Sequence, residues 1–499
     1  MSQTINCIAI DLGASGGKVI VGSFNGNEVI VTEIYRFTNS PIQLVDHIYW
    51  DFLYLFNEVK KGIQLAYRKF DGKINSIGID TWGVDYAFLD KQGQLLANPF
   101  SYRDPRTNGI MDKTFQKMPR DEIFNRTGVH FMQFNTLYQL FSTIENDPTA
   151  LDSVGTFLMI PDLFNYYLTG SKFCEFTNAT TTQFFDPINK NWNDPILQAI
   201  GIPLSIFPEI IEPGTPIGNL SPWLCDELGI NPIPVISIAT HDTASAVSAV
   251  PTQKTGFAFL SSGTWSLLGS EINSPMINSD CMEHNFSNYG GVCGTWLIWK
   301  NIQALWVLQE CMRNWASEEK TISLEDIISL ASRADAFGPI IDTDDLVFFT
   351  PGDFPSRIAE FCKRTGQEAP EDQGSIARCI LESLALKYRF VFDRLQKVLG
   401  KQLDRIHTIG GGSRNQLLNK FTAEATGLNV IAGPAEASAI GNVMMQLIAL
   451  QELESLASSR KVIKASFDNT IFQAKKSDAW EEAYDRYQKI VLKSKTYNY

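Results

Sequence analysis

Short apolar runs broken by small and polar residues dominate the first eighty positions. Cys7-Ile-Ala-Ile10, Lys18-Val-Ile-Val21 and Val29-Ile-Val-Thr-Glu-Ile-Tyr35 read as strands, and Asn25-Gly26 is a hairpin signal, which predicts an antiparallel meander. The period then changes. Phe52, Leu55, Phe56, Val59, Ile63, Ala66 and Tyr67 share one helical face behind Asp51 as N-cap. Ile74-Asn-Ser-Ile-Gly-Ile79 returns as a strand, ends in Asp80-Thr-Trp-Gly-Val-Asp85, and resumes at Tyr86-Ala-Phe-Leu. Residues 114–168 read as mostly helical, and 184–230 as Pro-rich and irregular. Pro232-Ile-Pro-Val-Ile-Ser-Ile238 has buried-strand character and gives out at Ala239-Thr-His-Asp-Thr-Ala-Ser245.

After Asp242 the pattern repeats. Gly256-Phe-Ala-Phe-Leu260, the turn Ser261-Ser-Gly-Thr264 and Trp265-Ser-Leu-Leu-Gly269 copy the strand, small-polar turn, strand order around Asp11. Two such hairpins predict two similar domains whose turns face across a cleft and grip one nucleotide. The stretch 300–309 reads as a helix with Asn301 and Gln309 near each other in azimuth. A long amphipathic helix over 374–399 leads to the strand Arg405-Ile-His-Thr-Ile409, in which His407 is a packing residue. Next come Gly410-Gly-Gly-Ser-Arg-Asn415 and a helix from Gln416, with Ser413 and Gln416 as a capping box. Strand, glycine turn and helix N-terminus together make a nucleotide-binding corner. Glu436-Ala-Ser-Ala-Ile-Gly441 is a small-residue helix start expected to pack against that corner, and the tail beyond Asp478 reads as a closing helix.

Composition narrows the function classes. At 499 residues and 44% hydrophobic the chain suits two or three globular domains. A net charge of −13 with no basic stripe argues against nucleic acid and anionic membranes as partners. Neither a signal-peptide start nor an apolar stretch long enough for a bilayer is seen, so a cytoplasmic protein is expected. The eight cysteines are scattered with no zinc-ligand spacing, and Cys362 and Cys379 are expected as free thiols.

Several stretches carry candidate chemistry, each beside a plainer reading. Asp242 at a strand end is either a fixed carboxylate facing a cleft or the cap of the following helix. Asp11-Leu-Gly-Ala-Ser-Gly-Gly17-Lys18 is not a P-loop: it is one residue short, has Val19 where Ser or Thr belongs, and leads into a strand. Its glycines still suit close approach to phosphate, with Asp11 holding Mg²⁺ through water; the alternative is a plain glycine hairpin. Asp80, Trp82 and Asp85 combine carboxylates with an aromatic face that suits a sugar, or form a tight hairpin facing water. The polar loop with Arg103 and Arg106 is placed to lie near the same cleft. Thr177-Asn-Ala-Thr-Thr-Thr-Gln183 is hydroxyl-rich with no chemistry readable from its spacing. A Rossmann reading of the 410–415 corner is weakened by Asn415 where glycine belongs and by a next strand without a ribose-binding acid.

Together these motifs, in order from end to end, resemble the FGGY carbohydrate kinases of the actin-like ATPase superfamily. The most specific stretches are Asp80-Thr-Trp-Gly-Val-Asp85 and Asn178-Ala-Thr-Thr-Thr-Gln183. The resemblance implies two α/β, ribonuclease-H-like domains, 1–245 and 246–499, with the active site between them and the last helix packing back on the N-terminal domain. It implies transfer of the γ-phosphoryl of MgATP to O1 of a ketose, L-rhamnulose in L-rhamnose catabolism; another ketose, or an ATPase without sugar transfer, is the alternative. The implied catalytic base is Asp242, with Gly83, His241, Thr243, Asp80, Trp82 and Asn301 on the sugar. ATP is implied at Gly13, Ala14, Ser15, Gly16, Gly17, Lys18, Thr264, Gln309 and Gly411, and Mg²⁺ at Asp11. Lys18 stands where relatives often carry Arg, which keeps the charge but loses the bidentate fork. The implied partners are a small sugar and a nucleotide; oligomeric state is left open.

Overall fold

A computed structural model describes residues 4–317, 322–475 and 477–494. The first few residues of the N-terminus and the last five of the tail, both read above from sequence, lie outside the described residues. By packing, the chain forms two units of interleaved segments: Met1–Gln253 with Glu271–Ile298 and Glu436–Phe467, and Lys254–Ser270 with Trp299–Ala435 and Asp468–Tyr499.

The first unit is built on a six-stranded sheet. Strands β1 (Ile5–Gly13), β2 (Gly16–Phe24) and β3 (Val29–Thr38) form the expected antiparallel meander. The turn predicted over 11–17 shrinks to Ala14 and Ser15, because β1 and β2 pair as far as Gly13 with Gly16. Asp11 and Lys18 therefore stand within strands, paired with one another. Helix α1 (Phe52–Lys69) starts at Asp51, which accepts from the Tyr54 N–H, and buries Phe52, Leu55, Val59 and Ile63. Strand β4 (Ser76–Thr81) lies parallel to β1, and β5 (Thr215–Asn219) and β6 (Pro234–Ser237) complete the order β5-β6-β4-β1-β2-β3. The largely helical reading of 114–168 misses a strand, Val154–Met159, that pairs with Tyr86–Asp90. Helix α2 (Asp242–Ser248) follows β6.

In the second unit β7 (Ala258–Ser262) pairs antiparallel with β8 (Trp265–Ile272) and parallel with β9 (Arg405–Ile409), and β10 (Asn429–Ala432) lies parallel to β9. An antiparallel hairpin continued by parallel strands thus occurs in both units. His407 is buried with its ring edge-on to Phe257, as a packing residue should be.

Four expectations need correction. The stretch 300–309 is not one helix: Trp296–Gln303 is a strand and the helix begins at Trp306. The run Trp296-Leu-Ile-Trp299 favours a pleated surface, so Asn301 and Gln309 sit on different elements. Helix Gln416–Thr426 is capped by Asn415, which accepts from Leu418 N–H at 3.0 Å, while Ser413 donates to the Gly410 carbonyl. A 3₁₀ turn, Gly411–Arg414, displaces Ser413 from the capping position. Helix α3 (Ala437–Ala449), expected with the 410–415 corner, belongs to the first unit and packs against α2. The closing helix Asp478–Val491 packs in the second unit, on Gln373–Leu399 and Gln416–Thr426. All eight cysteines are free thiols. No helix among the described residues is long and apolar enough to cross a membrane.

Candidate active site

Parallel register brings the principal residues together. Asp11 on β1 pairs with Asp80 on β4, Thr81 bridges to His241, and the Thr81 N–H donates to Thr240 O at 2.8 Å. Asp11, Asp80 and the His241–Asp242 pair thus stand side by side at the carboxyl ends of parallel strands, where α/β sheets collect ligands. Asp242 opens helix α2 but does not cap it: His241 is the N-cap residue, and the Asp242 carboxylate accepts from Thr243 Oγ1 at 3.1 Å. Its side chain is 31% exposed, and burial of the rest lifts its pKa to about 6. His241 Nε2 lies 3.6 Å from Asp242 Oδ1. Burial lowers the imidazole to about 4, which keeps it neutral near pH 7 and able to give or take a hydrogen bond with a hydroxyl.

Around Asp11 the charge is mostly negative. Lys18 Nζ lies 3.6 Å from Asp11 Oδ2 and 2.7 Å from Glu436 Oε2. Burial alone would lower this ammonium, but the two carboxylates outweigh it and the net shift is upward. Burial raises Asp11, Lys18 opposes that, and Asp242 and Glu436 add to it. Asp80 is pushed well up by burial and then by Asp11. Its carboxylate accepts from Asn442 Nδ2 at 2.7 Å, while Oδ1 is buried without a partner. Adjacent carboxylates with an orphaned oxygen fit a divalent cation. Among the described residues no three His, Cys, Asp or Glu side chains form a cage.

The 80–85 stretch departs from the expected sugar platform. Trp82 is 6% exposed and its indole N–H is spent on Asp85 Oδ2 at 2.9 Å. Asp85 also accepts from Trp50 Nε1 at 2.6 Å, Gln139 Nε2 at 2.8 Å and the Tyr102 N–H at 3.1 Å, so it anchors the fold rather than facing water. Asp80 is fully buried and turned to Asp11 and Asn442. Gly83 behaves as its position requires: a Cβ there would meet Thr181 at 3.0 Å. The Asp85 N–H donates to Gly83 O at 3.0 Å across Val84, whose φ is +69°. That is a left-handed γ-turn on a β-branched residue, a rare and strained conformation. Tyr102, on the polar loop, is a residue to which the sequence assigned no role. Its phenol is raised by burial and also feels Asp85 and Asp242, and the Arg103 guanidinium lies 5.2 Å from its ring. Its signal in the sequence is the Tyr102-Arg-Asp stretch, one of those that match the family.

In the 13–18 turn, packing explains part of the glycine content. A Cβ on Gly17 would sit 2.3 Å from the Phe37 ring and one on Gly16 3.1 Å from Phe37 O, whereas one on Gly13 would make only ordinary contact, 3.5 Å from Gly16 O. Asn39 fastens the turn, donating through Nδ2 to Gly13 O at 2.9 Å and through its N–H to Ser15 O at 3.3 Å, a role no motif announces. In the second unit Thr264 Oγ1 donates to Gln309 Oε1 at 3.1 Å, so two expected nucleotide-side residues meet. Gly410 has φ +77°, and a Cβ on Gly412 would strike Ser262 Oγ at 2.2 Å. Nothing lies within 4 Å of a Cβ on Gly411, so its bareness leaves room for a ligand rather than for packing. Asn301, also in the second unit, accepts from the Trp299 indole at 2.9 Å.

Comparison with known proteins identifies the family. Residues 6–248 match the N-terminal domain of the FGGY family of carbohydrate kinases and residues 258–450 its C-terminal domain. A rhamnulokinase of Bacteroides thetaiotaomicron is 41% identical over 97% of this chain and 99% of its own length. One of Oceanobacillus iheyensis is 38% identical over 92% of this chain and 97% of its own. Among solved structures, a xylulose kinase from Rhodospirillum rubrum covers 98% of both chains with a TM-score of 0.80 at 16% identity, which establishes a two-domain α/β fold of the actin-like kind.

Proposed function

The chain belongs to the FGGY family of carbohydrate kinases, and from that premise we propose that it transfers the γ-phosphoryl of ATP to O1 of L-rhamnulose, giving L-rhamnulose 1-phosphate. The observation that carries the reaction is the Asp242 carboxylate, at a strand end, one-third exposed and with a pKa lifted to about 6. At neutral pH it is ionised yet basic enough to take the hydroxyl proton as the O–P bond forms. Neutral His241 and the backbone at Gly83 orient the sugar. Thr243 keeps the carboxylate aimed by its hydrogen bond at 3.1 Å. In the first unit nucleotide contacts are assigned to the 13–18 turn, and in the second unit to Thr264, Gln309 and Gly411. Lys18, already held by Asp11 and Glu436, acts through the charge balance of the turn. Asp11 and Asp80 would hold Mg²⁺, which would supply charge neutralisation of the phosphates. The choice of L-rhamnulose rests on the relatives of matching length, which bear that substrate in their name.

ADP release with MgATP tests this against L-rhamnulose, L-fuculose, L-xylulose, L-ribulose and D-xylulose, with a no-sugar control. Strong preference for L-rhamnulose is expected. Preference for another ketose would overturn the substrate alone, and equal ADP release without sugar would overturn the kinase reading.

A further inference from the structure

The hydroxyl-rich segment 177–183 has no part in the reaction as described, and none of its threonines is more than 2% exposed. It is a helical turn, Phe176–Ala179, running into a 3₁₀ turn, Thr180–Thr182. This geometry spends each hydroxyl hydrogen locally. Thr180 donates to Thr177 O at 2.8 Å, Thr181 to Asn178 O at 2.8 Å, and Thr177 to the Glu175 carboxylate at 2.5 Å. A hydroxyl has one hydrogen, so each is left as an acceptor only. The three then accept backbone N–H groups from three separate segments: Thr177 from His241 at 3.1 Å, Thr180 from Gly290 at 2.9 Å and Thr181 from Val84 at 3.1 Å. Glu175 also receives the N–H and the hydroxyl of Thr240, at 3.0 and 2.7 Å. Gln183 donates to Val129 O and His130 O and accepts from Asn135.

One buried turn therefore holds the loop that carries Asp242, the strained turn after Gly83 and the 129–135 stretch. The strain at Val84 points the same way. A β-branched residue at positive φ carries a backbone cost that surrounding hydrogen bonds can hold in place. Here the Val84 N–H is held by Thr181, and its carbonyl by Thr136 Oγ1 at 2.7 Å and Gln139 Nε2 at 3.3 Å.

We infer that segment 175–183 is the positioning element of the sugar side of the site, with Thr177 setting the stance of Asp242 and Thr181 that of the Gly83 backbone. The inference rests on the ketose-kinase reading. None of these residues is catalytic; they act through the segments they hold. A turn that only filled the core would accept valine, which keeps the shape and loses the acceptor, and would resent serine, which leaves a methyl-sized gap. A positioning turn has the opposite preference.

The test is steady-state kinetics of the full chain with Thr177→Val, Thr181→Val, Thr177→Ser and Thr181→Ser, varying ketose and ATP separately, with thermal melting alongside. Each valine variant leaves a buried N–H without an acceptor, so kcat/KM for the ketose should fall about tenfold or more while KM for ATP stays within about twofold. The loss should lie mainly in kcat for Thr177→Val and in ketose KM for Thr181→Val. Both serine variants should recover to within about threefold of wild type. If a valine variant does not fold, the cysteine variant of that position, a weak acceptor of similar size, is measured with the same expectations. Valine variants as active as wild type, or serine variants as impaired as valine, overturn the inference, as does a matching loss in KM for ATP. A wild type inactive on every ketose overturns the kinase reading along with it, which separates the two failures.

Discussion

At Asp242 the deciding quantity is a proton. With its pKa lifted to about 6 by burial, the carboxyl is charged above that value and protonated below it, and only the charged form accepts a hydroxyl proton. Below about pH 6, kcat/KM for the ketose should thus fall toward tenfold per pH unit. His241, pushed down to about 4, adds no limb between pH 5 and 8. A flat profile across that range would remove Asp242 from the role of base. Asp242→Asn should abolish turnover while ADP affinity stays within about twofold; loss of ADP binding as well would mark the residue as structural. At Asp80 the folded pKa lies well above the ordinary one, so its ionisation is resisted and stability is lost as pH rises. A divalent cation offsets that penalty. MgCl₂ should raise the melting temperature at pH 7.5, and Asp80→Asn should blunt the rise; an equal rise in both would take Asp80 out of the cation site. At this scale the sequence was informative where the backbone alone fixes a side chain, as for Asp242 at its strand end. It was misleading at Trp82, because whether that ring meets sugar or core depends on Trp50 and Asp85 arriving from elsewhere.

At the scale of elements, the period-2 and period-3.6 patterns located the meander and α1, and both stand where the apolar positions put them. The pattern failed over 296–309, where a strand and a helix abut with Ala304 and Leu305 between them and an apolar run fits either. Helix α3 presents a different case. Its small residues correctly announced a close crossing, but not with what. A Cβ on Gly441 would lie 1.9 Å from the Ser245 carbonyl oxygen of α2, and the α3 amides of Asn442 and Gln446 reach Gly78 O and Ile8 O. Gly441→Ala gains at most about 1 kcal/mol in helix propensity, against about 1–3 kcal/mol for overpacking a crossing that cannot yield. The expected outcome is a lower melting temperature with a reduced kcat, since α2 begins with Asp242. A more stable, fully active variant would show that the two helices can part without consequence.

At the scale of the molecule, the duplicated hairpin was legible and the interleaving was not, since nothing local marks 271–298 or 436–467 as belonging with the first unit. The division of residues between units makes a separable prediction. Thr264→Ala and Gln309→Ala, in the second unit, should raise KM for ATP severalfold and leave ketose KM near wild type. Thr243→Val, in the first, should do the reverse. A shift of both constants by either class would refute the division.

The interleaving also bears on the order in which a ribosome delivers the chain. Every motif of the first sheet, from Asp11 to Asp242, emerges during the first half of synthesis. Asn442, which holds Asp80, and Gly441, which receives α2, emerge only near the end. At about 5–20 residues per second the nascent protein spends ten seconds or more with its aspartates in place and their supporting helix unmade. The acidic strand ends are assembled early and braced late, so a chain cut short before α3 would carry the whole signature of the first domain without the helix that braces Asp80 and α2.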